Sequence, residues 1–286
     1  MKTILITGIN GFLGSHLAKE LSKDYKIVGL EHSIKNLFRL KDYSFKVYSS
    51  SDETFTIFKE NKIFAIIHAA TVYRSSTDPI ENLILTNILL PVKLYELANR
   101  FNATLFLNTD SFFNNEKYNY SYLPDYTLSK KHVLEWLRFM KNGCKLINMK
   151  IFHMYGPDDS PDKFISQISS KLKNNEPHID TTSGAQTRDF IYISDVIMAY
   201  KLVLKKSSLM ERFVGFEVGT GKETSIKEMI LQIKKFTKST TTLNFGALDY
   251  RSNEIMKSKA NIKALCDLGW KPQFTIEEGL KSMEGI

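Results

Sequence analysis

The chain has 286 residues, of which 43% are hydrophobic and 24% charged, with a formal net charge of +8. That length holds two ordinary domains or one large α/β domain with an appended lobe, and the composition excludes a largely disordered chain. No apolar run approaches the ~20 residues that span a bilayer, and Met1-Lys2-Thr3 leads straight into Ile4-Leu5-Ile6 without a secretory pattern. Cys144 and Cys266 stand far apart, which excludes a disulfide scaffold and a thiolate zinc site and fits a reducing cytoplasm. The lysines are scattered, usually near Asp or Glu, so neither nucleic acid nor membrane is an expected partner. An anionic small molecule would gain from the positive field.

Short apolar runs alternate with helix-length segments through the first 155 residues. Strands are predicted at Thr3–Thr7, Lys26–Leu30, Phe45–Tyr48, Ala65–Ala69, Thr104–Asn108 and Lys145–Ile151. Helices are predicted at Phe12–Leu21, Ile34–Leu40, Asp52–Glu60, Pro79–Phe101 and Tyr126–Lys141. This alternation predicts an α/β protein with a Rossmann-type doubly wound parallel sheet. After Tyr155-Gly156-Pro157 the text turns polar, with helices near Lys163–Lys173, Ser194–Lys206 and Ser225–Thr237. It reads as a smaller mixed α/β C-terminal lobe that caps the substrate. The expected division is residues 1–157 for the dinucleotide, with 186–220 partly returning to that domain, and 158–185 plus 221–286 for the substrate.

Thr7-Gly8-Ile9-Asn10-Gly11-Phe12-Leu13-Gly14 joins the first strand to the first helix. Gly8 permits the tight turn, Gly11 lets the backbone approach a pyrophosphate, and Gly14 lets the helix pack on the strand. The phosphates would sit on the free N–H groups of the helix start. Glu31 at the end of the second strand can accept both ribose hydroxyls of NAD and would repel a 2′-phosphate, although Lys35 and Arg39 follow closely. NAD and NADP both stay open, with Glu31 favouring NAD.

Tyr126 and Lys130 stand at i and i+4 on one helix face. A nearby ammonium is expected to lower the phenol pKa, so that the Tyr passes a proton to or from an alcohol oxygen. The preceding strand ends Leu107-Asn108-Thr109-Asp110-Ser111, which sets hydroxyls at the carboxyl edge of the sheet, where ligands of open α/β sheets bind. Thr109 is the first candidate to hold the reacting oxygen, and Ser111 the second.

These elements together resemble the extended short-chain dehydrogenase/reductase family, in its nucleotide-sugar-modifying epimerase/dehydratase branch. Residues 7–14 match its TGxxGxxG, Tyr126 and Lys130 its YxxxK, and residues 155–157 its YGP. His68-Ala69-Ala70 is similar to its cofactor-flanking element, Asn87 to an Asn of its next helix, and residues 186–196 to its RDF(I/V)YVxDV segment. The resemblance implies that Arg188 and Arg251 bind the nucleotide diphosphate, that Asp110 and His153 lie near the sugar, and that the chain is a homodimer. Segments Ile80–Ala98 and Tyr126–Met140, apolar on most sides, agree with a covered second face. Sugar 4,6-dehydratases of the family carry Thr-Asp-Glu where this chain has Thr109-Asp110-Ser111. Ser111 cannot abstract a proton from carbon, so dehydration is not expected. Asp110 serves either proton transfer or capping of the next turn.

Residues 108–113 and 126–131 look most like reductases of the CDP-abequose synthase type. The leading expectation is therefore an NAD(P)H-dependent reductase of a nucleotide-linked 4-keto-(6-deoxy) sugar in surface-polysaccharide sugar synthesis. A 4-epimerase or 4-dehydrogenase with tightly bound NAD would use the same residues. A non-catalytic dinucleotide-binding scaffold or sensor is the alternative of another class.

Overall fold

The computed structural model describes residues 1–50, 54–73, 78–115, 123–140 and 143–283. The elements run β1 (Thr3–Thr7), α1 (Phe12–Leu21), β2 (Lys26–Glu31), β3 (Lys46–Ser49), α2 (Thr54–Glu60), β4 (Ile63–His68), α3 (Ile80–Ile84), α4 (Leu90–Arg100), β5 (Leu105–Ser111), α5 (Pro124–Phe139) and β6 (Lys145–Ile151). They continue as β7 (His153–Tyr155), α6 (Phe164–Lys173), β8 (His178–Thr181), β9 (Thr187–Arg188), β10 (Phe190–Tyr192), α7 (Ile193–Lys206), β11 (Phe213–Val218), β12 (Thr224–Ser225), α8 (Ile226–Thr237), β13 (Thr242–Phe245), α9 (Lys263–Asp267) and α10 (Ile276–Lys281).

Seven strands form the main sheet in the order β11-β6-β5-β4-β1-β2-β3. The pairs β1–β2, β1–β4, β2–β3 and β4–β5 are parallel. The reversal of strand order falls between β1 and β4, and it fixes the ligand edge at their carboxyl ends. Strands covered on both faces read as continuous apolar runs, which is why β1 and the middle of β4 contain no exposed residue. Leu5, Leu30, Ile66, Phe106, Leu94 and Val133 belong to one core cluster beneath the helices.

The chain divides into two compact units. The first comprises residues 1–115, 122–150 and 200–216, and the second chiefly 151–199 and 217–286. In the second, β7 pairs with β10, β9 with β12 and β8 with β13 as small separate sheets. Of the strands within 186–220, β11 joins the main sheet and β10 pairs with β7.

Two expected elements change. Ile34–Leu40 is not a helix. It has one 3₁₀ turn at Phe38–Leu40, because its backbone is tied to Asn10: the Asn10 side chain accepts from Arg39 N–H (3.1 Å) and donates to Asn36 O (3.2 Å). The expected single helix 79–101 is broken by a π-helical turn at Leu85–Leu89, just before Pro91, whose missing N–H cannot continue the ladder. The extra residue turns Asn87 inward, where it is buried.

Candidate active site

The cofactor edge begins at α1. Gly8 adopts φ +63°, and a Cβ there would meet Ala70 Cα at 2.8 Å. A Cβ on Gly14 would lie 2.0 Å from Gly8 O. Only glycine lets the turn, α1 and the Ala69–Ala70 edge close together. The α1 N-terminus at Gly11, Phe12 and Leu13 has no side-chain cap among the described residues and no acid in its first turn; the Gly11 N–H donates to Gly8 O (2.9 Å), and the dipole and the N–H groups that follow remain available to an anion. Asn10 does not point at this N-terminus. It clamps the 36–39 loop, and its own N–H donates to Glu31 Oε2 (2.8 Å). Glu31 Oε1 accepts from His32 N–H (2.9 Å), so this carboxylate also fixes the glycine loop.

His68 ends β4 and is buried. Its Nδ1 shares a 2.9 Å hydrogen bond with Thr7 Oγ1, while Nε2 has no partner among the described residues. Burial, followed by the charge of Lys130, pushes its pKa down to about 3. A neutral, orphaned ring nitrogen at this edge, beside an uncapped helix start and a glycine cradle, fits a dinucleotide.

Pro124 in the first turn and Asp125 beside it start α5, which places Tyr126 in that turn and Lys130 one turn later. Both are buried, with Lys130 Nζ 5.6 Å from the Tyr126 ring centroid. Lys130 donates to Thr109 O (3.0 Å). Burial lowers its pKa to about 8, offset in part by Asp110. The expected lowering of the Tyr126 pKa is not found in the ligand-free site: burial raises it well above 10, and the neighbouring Tyr73 adds to the rise. Desolvation dominates because the phenolate has lost water on nearly every side, and the Ser111 hydrogen bond lowers the value only in part.

β5 runs three residues further than expected, to Ser111, so its pleat decides the next point. Thr109 and Ser111 share one face and Asp110 takes the other. Ser111 is the hydrogen-bonding neighbour of the Tyr126 hydroxyl. Thr109 Oγ1 bonds instead to the Tyr200 hydroxyl at 2.8 Å. Asp110 is buried. Its carboxylate accepts from Ser111 N–H (2.8 Å), Asn114 Nδ2 (3.0 Å) and Asn148 Nδ2 (2.8 Å). Burial raises its pKa against these bonds. Asn87 bridges the post-β4 loop and α5. It accepts from Val72 N–H (2.8 Å) and donates to Val72 O and to Ser129 Oγ (3.0 Å each).

The remaining predicted residues lie in the second unit. Arg188 is buried and pairs with Glu254. It also donates to Thr187 O (2.8 Å) and Ile255 O (2.5 Å). Arg251, three residues before Glu254, is exposed. His153 packs edge-on to Phe190 with ring centroids 5.9 Å apart, and burial followed by the Arg188 charge holds its pKa well below 6.5. Asp189 accepts four bonds, from Thr220 N–H and Oγ1, Gly221 N–H and Ala260 N–H, at 2.7–3.0 Å. The RDF segment therefore holds three stretches of chain together.

Tyr73, Tyr200, Asn148 and Glu254 were not singled out in the sequence. Only Glu254 left a signal, an acid close to a candidate Arg. The others meet their partners from distant segments.

The fold, the glycine loop and the Tyr126–Lys130 pair define an NAD(P)-dependent enzyme of the extended short-chain dehydrogenase/reductase class. The chain belongs to the NAD dependent epimerase/dehydratase family, which matches residues 4–219. It is 38% identical to the CDP-abequose synthase of Salmonella muenchen over 99% of this chain and 97% of that protein. It is 34% identical to the CDP-abequose synthase of Salmonella typhimurium over 98% and 96%. Among solved structures it is similar in fold to UDP-glucuronic acid 4-epimerase from Bacillus cereus, in complex with UDP-glucuronic acid and NAD. That likeness has a TM-score of 0.83 and 22% identity and covers 98% of this chain and 97% of the other.

Proposed function

We propose that this enzyme is an NAD(P)H-dependent reductase of a nucleotide-linked 4-keto-6-deoxy sugar, acting in the cytoplasm in the synthesis of surface-polysaccharide sugars. The observation that carries the reading is the proton inventory around Tyr126. Its hydroxyl neighbour on β5 is Ser111, and the adjacent carboxylate of Asp110 is turned to the opposite face and committed to three donors. One proton donor with no carboxylate base beside it suits reduction and not elimination of water. Similarity to two CDP-abequose synthases supports the same substrate class.

The α1 N-terminus, Gly11 and the edge at His68–Ala70 would hold the dinucleotide, with NAD favoured because Glu31 leaves a negative charge where a 2′-phosphate would sit. Reduced nicotinamide supplies the hydride when bound. Tyr126 gives its hydroxyl proton to the oxygen that becomes the alcohol. Lys130, anchored by Thr109 O, places its ammonium near the resulting phenolate. Ser111 orients the carbonyl oxygen. Arg251 binds the diphosphate, each charge-assisted bond contributing about 1.5–3 kcal/mol, while Arg188, expected to share that role, is paired with Glu254 and two carbonyls and holds the neighbouring loop instead.

The functional unit is a homodimer. Ile80, Ile84, Leu85 and Leu89, together with Leu128, Trp136 and Phe139 of α5, are 43–75% exposed. Such a patch is larger than scattered surface residues require, and a second copy would cover it. Among the described residues no helix is long and apolar enough to cross a membrane.

The test is steady-state oxidation of NADH or NADPH with a 4-keto-6-deoxy sugar nucleotide and with the free keto sugar. Turnover with release of oxidised cofactor is expected for the nucleotide sugar alone, and at least a ~10-fold lower kcat/KM in Arg251→Ala. Epimerisation without cofactor release would replace this reading with the 4-epimerase one.

A further inference from the structure

Tyr73 lies just beyond the His68-Ala69-Ala70 edge. Its ring stacks on that of Tyr126, with centroids 4.4 Å apart and planes inclined by 27°. The two hydroxyls are hydrogen-bonding neighbours. The stack is held from both sides by Asn87, which binds Val72, the residue before Tyr73, through both backbone groups, and Ser129 on the helix that carries Tyr126.

The two tyrosines differ in access. Tyr126 is 5% exposed and Tyr73 is 43% exposed. The other polar groups around Tyr126 lead inward. Ser111 is buried and its hydroxyl accepts from Phe113 N–H (3.3 Å). Lys130 is buried and its ammonium is bound to Thr109 O. A tyrosine that spends its proton in each turnover needs a path for another. Among the described residues, the phenol beside it that reaches the surface is that of Tyr73.

We propose that Tyr73 is the positioning and proton-feeding residue of Tyr126, linking the buried phenol to water in every catalytic cycle. The inference rests on the reductase reading above. After Tyr126 has given its proton to the substrate oxygen, the Tyr73 O–H bond breaks and its proton passes to the Tyr126 phenolate. The phenolate left on Tyr73 then takes a proton from water, and the hydroxide so formed is neutralised by buffer. No electrons move between the rings, and both phenols are restored.

Tyr73→Phe keeps the stacked ring and removes the relay. In rapid mixing with NADH and a 4-keto-6-deoxy sugar nucleotide, the first turnover should stay within about twofold of wild type, because Tyr126 starts protonated, while steady-state kcat falls by ~10-fold or more. The solvent deuterium isotope effect on kcat should rise, and KM should fall with kcat so that kcat/KM holds, because the slowed step follows the chemistry. A first turnover that slows as much as kcat would mean that Tyr73 only shapes the site, and would overturn the relay. So would an unchanged kcat.

Ultraviolet difference titration of ligand-free protein supplies the second readout. Burial and the neighbouring Tyr73 hold the Tyr126 phenol above its usual range, so wild type should show one late tyrosinate that moves to lower pH in Tyr73→Phe and is missing from Tyr126→Phe. Identical titrations in all three would overturn the coupled pair. If wild type oxidises no reduced cofactor with any 4-keto sugar nucleotide, the reductase reading fails, and this titration alone decides whether the pair exists.

Discussion

Buried polar groups around Tyr126 in the first unit are handled in the opposite way from those around Asp189 in the second. In the second, Asp189 accepts four hydrogen bonds and Arg188 has Glu254 and two carbonyls. In the first, among the described residues, His68 keeps a ring nitrogen without a partner, Lys130 holds the Thr109 carbonyl, and Tyr126 is desolvated between two hydroxyls. Saturated groups fix loops, and further bonding capacity in them is small. Under-bonded groups weaken the fold and keep their capacity for a ligand and a proton. The difference separates residues that hold the chain from residues that carry chemistry, even where both kinds come from recognisable motifs.

The comparison breaks most visibly at Tyr126. Tyr126→Phe should reduce kcat/KM by ~10²–10⁴-fold while leaving the thermal midpoint and cofactor affinity unchanged. Assay and calorimetry on one preparation check this, and a wild-type rate would remove Tyr126 from the chemistry. Asp189→Ala should do the reverse. It leaves the N–H groups of Thr220, Gly221 and Ala260 without their acceptor and should cost about 3 kcal/mol of stability, read as a lowered denaturant midpoint with an unchanged slope.

Lys130 sharpens the comparison because it carries both properties. Its pKa is about 8 in the folded chain and ordinary in the unfolded one. The folded state therefore binds this proton more weakly. The penalty is fully present below about pH 8 and fades as pH rises toward the ordinary lysine value. Lys130→Met should stabilise the protein at pH 7 by about 2 kcal/mol, allowing for the lost bond to Thr109 O, and the gain should shrink at high pH. It should also abolish turnover, which makes it a direct exchange of activity for stability. The smallest effect is the wild-type pH profile. Reductase activity should fall above about pH 8 as the ammonium is lost, by ~10-fold per pH unit once well past it. A flat profile through pH 9 would exclude Lys130 from the rate.

Much of the site could be read along the chain because its signals are local. The glycine loop needs only a strand, a turn and a helix start. Tyr126 and Lys130 need only one helical turn. The period-two pleat turns Asp110 away from Thr109 and Ser111 wherever the strand reaches Ser111. The strand expected to stop at Asn108 continues to Ser111 because Asn148 and Tyr200 supply hydrogen bonds to the side chains of Asn108, Asp110 and Thr109.

The sequence by itself determined the parallel sheet, the phosphate-binding turn and the Tyr–Lys pair, since each depends on spacing within one or two elements. Tertiary structure decided which hydroxyl serves Tyr126, that Thr109 turns to Tyr200, that Glu254 holds Arg188, and that Tyr73 lies on Tyr126. Those pairs join residues 15 to 91 positions apart. At such separations neither propensity nor periodicity ranks one polar partner above another. The choice is made by which side chains the packed elements bring within about 3 Å, and by how much water is left around them.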